Sequence, residues 1–117
     1  MLWIINIVLA LAFAAAGTIK LIRPLGALVD LGMTWVSDAS PQMVRAVGVV
    51  ELIGAAGLIL PMGTRIAPGL TPAAAIGLAC VMLAAVVVHL KRAESVVPPM
   101  VLGGLAVVSA AVGLALV

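Results

Sequence analysis

Between Ala46 and Thr64 the only charged residue is Glu51. It sits midway along an apolar stretch, about 14 Å from either end at about 1.5 Å rise per residue. A charge at that depth in a bilayer costs about 2.5–3.5 kcal/mol on insertion scales. The carboxyl is therefore expected to turn away from lipid and to find a proton or a cation. Gly48 and Ala55 share its helix face, with Gly54 close by. A face of such small residues admits either a ligand or a second helix. Two readings stay open: Glu51 handles protons or anchors a polar head group, or it only locks helices together. Lys20, near the end of the first apolar stretch, is either a snorkelling anchor or the cationic partner of Glu51. His89, the sole histidine, closes the third stretch in the same half of the membrane. It is either an interfacial polar residue or a titrating partner of that pair. Lys20, Glu51 and His89 are thus the candidate catalytic residues, and Gly17, Gly48 and Ala55 the candidate ligand-binding ones.

Other chemistries lack their parts. One His, one Cys and one buried acid, with no two ligands spaced on one helix face, argue against a metal site. Cys80 has no second cysteine for dithiol chemistry and reads as a small apolar filler. There is no nucleophile elbow, P-loop or dinucleotide fingerprint. The net charge of +2 comes from only six Lys and Arg, with one Phe, two Trp and no Tyr. No base-stacking platform accompanies them, so nucleic acid is not an expected partner.

The elements that must position these residues follow from composition. Of 117 residues 66% are hydrophobic and 9% charged, against roughly 45–50% and about 25% in soluble domains. Mean hydropathy is +1.43. These values exclude a soluble enzyme and a disordered tail. Four stretches reach the roughly 20 apolar residues that a membrane span needs: Leu2–Ile22, Pro41–Leu60, Pro68–Leu90 and Val97–Leu116. The expected fold is all-α, a single integral membrane four-helix bundle. The Gly- and Ala-rich span interiors suit close helix contact in lipid. Arg23-Pro24 should end the first span. Ser40-Pro41 reads as N-cap and N1 of the second, which Pro61-Met62-Gly63 should end. Pro72, one turn into the third span, is expected to kink it slightly. Pro98-Pro99 opens the fourth.

Leu25–Val36, with Leu28, Leu31 and Trp35 at helical spacing, reads as a short interfacial segment between the first two spans. Trp35 and Trp3 would mark opposite aromatic belts. Lys20, Arg23, Arg45, Lys91 and Arg92 fall on one side and Arg65 on the other. The positive-inside rule then puts both termini outside. No basic residue precedes Leu2–Ala16, so that stretch is read as a span and not as a cleavable leader.

Several short patterns occur in a recognisable order. They are Gly17-Thr18-Ile19-Lys20-Leu21, Leu31-Gly32-Met33, the stretch Val47–Pro61 with Gly48, Glu51, Gly54 and Gly57-Leu58, and Ala85–His89 followed by Leu90-Lys91-Arg92. Together they resemble the G-x-x-K-L, L-G turn, G-x-x-E-x-x-G-x-x-G-L and A-x-x-x-H patterns of the DoxX-like family of small four-helix membrane proteins. The resemblance spans nearly the whole chain. It implies a four-helix bundle in the bacterial cytoplasmic membrane, with Lys20, Glu51 and His89 in one polar site. The roles it implies are diverse: some relatives stand beside redox enzymes and distant ones act as chaperones or cargo receptors, and a redox role here would be that of a quinone site or a membrane anchor. No flavin or haem signature is present, and no covalently bound cofactor is expected.

Three functions follow as expectations. The first is a subunit that binds a quinone or other lipid-soluble molecule at the Glu/Lys/His site, the tail beside Gly48 and Ala55, and supports a redox protein partner. The second is an acid–base membrane enzyme, such as an isomerase, epoxide hydrolase or cyclase, acting on a hydrophobic substrate. The third is a non-catalytic scaffold. Four short helices leave little room for a cavity, which favours a homo-oligomer. The small multidrug transporters, similar in length, differ in carrying their essential Glu in the first span among aromatics. Here the first span has no acid.

Overall fold

The computed structural model describes residues 2–30 and 33–116, without the side chains of Thr34 and Asp38. Four long helices account for most of the chain: α1 (Leu2–Ile22), α3 (Pro41–Thr64), α4 (Leu70–Lys91) and α5 (Val97–Leu116). A short helix α2 (Leu25–Asp30) and a 3-10 turn (Thr34–Asp38) lie between α1 and α3. All four long helices have the length and apolar composition to cross a membrane. The 21 residues of α1 extend about 31 Å, matching a hydrocarbon core of about 30 Å.

The helices form an up-down-up-down bundle in which α1 packs on α3, α3 on α4, α4 on α5 and α5 back on α1. Its core draws on every long helix: Leu9 and Phe13 from α1, Ala55 and Leu58 from α3, Leu78 and Met82 from α4, Ala106 and Ala110 from α5. Residues such as Ile4, Leu11, Ile53, Leu83 and Leu90 face outwards. In lipid, exposing them costs nothing, so helix association rests on close packing and interhelical polar contacts.

The caps follow the chemistry of the sequence. Ser40 Oγ accepts a hydrogen bond from the Met43 N–H at 3.1 Å, with Pro41 at N1. Two expected boundaries and one expected kink are corrected. The second long helix does not stop at Leu60; it carries Pro61 inside it and runs to Thr64. Proline removes one rung, that to the Gly57 carbonyl. A helix in a bilayer still satisfies its other backbone groups best by continuing. α4 starts at Leu70 and not at Pro68, because Pro68 and Gly69 form the turn before it, with the Leu70 and Thr71 N–H groups donating to Ala67 and Pro68 carbonyls. Pro72 therefore falls in the first turn, where its missing N–H has no intrahelical partner to lose, and the reason for a kink disappears.

The first connection is folded. Leu28 and Val36 are buried with Val44 of α3, and Ile19, Val29, Met33 and Trp35 pack around them. The connection thus covers the α1–α3 end that carries Lys20 and Arg45. Leu31 and Gly32, expected in the helical spacing and in an L-G turn, lie outside the described residues.

Candidate functional site

α1 and α3 cross at a pair of glycines. A Cβ on Gly17 would lie 2.7 Å from the Gly48 carbonyl oxygen, and one on Gly48 would lie 2.9 Å from that of Gly17. Backbones this close leave no room for any side chain at either position. The consequence falls on Lys20, one turn beyond Gly17. Its Cβ would be 3.0 Å from a Gly48 Cβ, so its stem runs across the bare backbone at Gly48. One further turn along α3 the ammonium reaches Glu51, and Lys20 Nζ donates to Glu51 Oε1. The two side chains are 8% and 2% exposed. The pair is largely buried in the bundle, a charged contact in an apolar setting.

Arg45, on the same face of α3 two turns before Glu51, holds the other end of Lys20. Its Nη1 donates to the Lys20 carbonyl oxygen and, at 2.9 Å, to that of Arg23. Arg45, Gly48 and Glu51 thus follow at every third residue and meet Lys20 at its carbonyl, stem and ammonium. From sequence alone Arg45 is only one of the charges that mark topology. The signal that identifies its role is Pro24, which leaves the end of α1 one donor short.

His89 lies elsewhere. Gly54 faces Leu78 and Gly57 faces Ala74, so Glu51 is level with about residue 81 of the antiparallel α4. His89 is then about 12 Å nearer the basic end. Its Nδ1 donates to the Ser95 carbonyl at 2.6 Å, since a carbonyl only accepts. The same turn is closed by the Glu94 N–H on the His89 carbonyl at 2.8 Å. The structure brings Lys20 and Glu51 together, and leaves His89 in the last turn of α4, bonded to the α4–α5 connection.

Of the three expected ligand-lining residues, Gly17 and Gly48 spend their open faces on each other. Ala55 lines a shallow groove of about 400 Å³ between α1 and α3, together with Ala10, Ala14, Leu52, Ala56 and Ile59. The groove begins one residue from Glu51 and runs away from the basic end. Cys80 is exposed on α4, in a second apolar groove shared with α5.

A second polar cluster, absent from the sequence reading, joins three helices. Asn6 Nδ2 donates to the Leu58 carbonyl at 3.0 Å, and Ser109 Oγ donates to Asn6 Oδ1. Both side chains are buried. An asparagine within an otherwise apolar first span was the available signal.

Against known proteins, the chain matches the DoxX-like family over residues 4–116, nearly its full length. No curated protein and no solved structure matches it.

Proposed function

The chain belongs to the DoxX-like family and is a multi-pass membrane protein; on that premise we propose that it binds a lipid-soluble molecule, a quinone above all, at the Lys20–Glu51 pair and supports a redox protein partner. The observation that carries this reading is a buried ion pair in the membrane-spanning part of the bundle, next to an apolar groove. Lys20 supplies N–H donors and the Glu51 carboxylate supplies acceptors. A head group with oxygens, as carbonyl or hydroxyl, finds a partner in one or the other. The tail lies in the groove against Ala14, Ala55 and Ile59. Gly17 and Gly48 serve the site by letting the helices close, and His89 takes no part in binding. The membrane, by family resemblance, is the bacterial inner membrane, and the distribution of Lys and Arg supports placing the basic end in the cytoplasm.

The test is titration of the protein, in lipid nanodiscs, with a short-tailed benzoquinone. Glu51→Gln and Lys20→Met are each expected to weaken binding about tenfold or more. That is the factor for losing a charge-assisted bond worth about 1.5–3 kcal/mol. Unchanged affinity in both variants would overturn the reading. Turnover of a hydrophobic substrate by the chain alone, without an electron acceptor, would replace it with acid–base catalysis.

A further inference from the structure

Pro24 removes one hydrogen bond from the end of α1. The Arg23 N–H reaches the Ile19 carbonyl at 3.0 Å, as an α-helix requires. The next rung would run from residue 24 to the Lys20 carbonyl, but Pro24 has no N–H. A carbonyl left unpaired at a covered helix end is costly. Arg45 supplies the missing donor from the neighbouring helix, and its second contact, to the Arg23 carbonyl, fixes the guanidinium across the end of α1. The residue whose backbone is held in this way is the one whose side chain meets Glu51. A Lys stem has four rotatable bonds. Its ammonium can be fixed beside a given carboxylate only if its own Cα is fixed.

We infer that Arg45 is a positioning residue for the buried pair: by taking the Lys20 carbonyl that Pro24 orphans, it sets how far the Lys20 ammonium reaches along α3 and so keeps Glu51 paired. The inference deepens the proposed function, since it assigns what maintains that site. It makes two demands that a merely electrostatic role would not. Removing the Arg45 clamp must disturb the Glu51 carboxyl, and restoring the lost helical rung must repair it without restoring any charge.

The measurement is isotope-edited infrared spectroscopy of the full chain in bilayers, with labelled glutamate. Glu51 and Glu94 are the only glutamates, so a Glu94→Gln background isolates the Glu51 carboxyl. The charged-carboxylate band is expected in that background, and expected to be lost or shifted in Arg45→Gln. Adding Pro24→Ala, which gives residue 24 an N–H for the Lys20 carbonyl, is expected to return it. Arg65→Gln, at the opposite end of the bundle, should leave the band in place. An unchanged band in Arg45→Gln, or no recovery in the Pro24→Ala, Arg45→Gln double variant, overturns the inference. If Arg45→Gln alone does not fold, the double variant decides: a band at the parental position supports the clamp, and its absence refutes it. No quinone is present in this experiment, so a failed binding titration and a failed clamp are separate results.

Discussion

Lys20 and Glu51 each carry a formal charge into a place where neither would be tolerated alone. Deep in the bundle, the attraction within such a pair offsets desolvation only while both members are present. Glu51→Leu leaves the ammonium without its partner, and Lys20→Met leaves the carboxylate so. Each single change is expected to cost about 3–5 kcal/mol of stability. The Lys20→Met, Glu51→Leu double variant, with two apolar side chains of similar size, is expected to recover most of it. Reversible unfolding in mixed micelles reads the cycle, and additive losses would mean that the two groups do not act as a pair. The same cycle separates the two original readings of Glu51. A mere helix lock survives replacement by packing, whereas quinone binding at this site would not survive loss of both charges.

At the scale of an element, α1 and α3 can approach as they do only because residues 17 and 48 have no Cβ. A methyl group on Gly17 would meet the Gly48 carbonyl at 2.7 Å and Leu52 Cγ at 2.9 Å. The first of these is backbone and cannot rotate away. Gly17→Ala and Gly48→Ala are therefore expected to push the helices apart and cost about 1–3 kcal/mol. Gly104 of α5 has nothing within 4 Å of a built Cβ. Gly104→Ala should instead add about 0.5–1 kcal/mol, since Ala is the better helix residue. Thermal unfolding of the three variants gives the signs. A tolerated Gly48→Ala would show that Lys20 does not need the bare backbone to reach Glu51. Proline carries different meanings along these elements. Pro41 and Pro72 fall in first turns and cost nothing, Pro61 removes one rung of a helix that continues, and Pro24 creates the vacancy that Arg45 fills.

Across the whole molecule, polar fasteners lie at different depths in one bundle, two of them among the described residues. Lys20–Glu51, with Arg45, binds α1 to α3 towards the basic end. The Asn6 contacts, seven residues further along α3 at Leu58, bind α1 to α3 and to α5. Between them stands an apolar core that includes Phe13, Ala55 and Leu78. The Asn6 cluster adds a polar link between α1 and α5 to the apolar packing of Leu9 and Phe13 with Ala106 and Ala110 in the core. Asn6→Leu is expected to cost about 0.6–2 kcal/mol, the range for interhelical polar contacts in membranes. The loss should appear mainly as separation of α1 from α5, read by distance measurements between spin labels at the ends of those helices. Unchanged α1–α5 distances and stability would reduce the cluster to incidental contact.

Composition and spacing were enough for the four spans, the Ser40 cap, the family resemblance and the choice of Glu51 and Lys20 as residues to watch. These are local properties: hydrophobic length, the backbone demands of proline, and the cost of a charge among apolar neighbours all act within a few residues along the chain. Partnership is not local. That Lys20 turns inwards to Glu51, that Gly17 and Gly48 meet each other, and that Arg45 completes the end of α1 all depend on the rotation and register of helices over 20 residues long. Those are set by close packing across the whole interface. A rotation of 100° per residue carries a side chain from core to lipid within two positions, so only the assembled bundle decided which polar groups would meet.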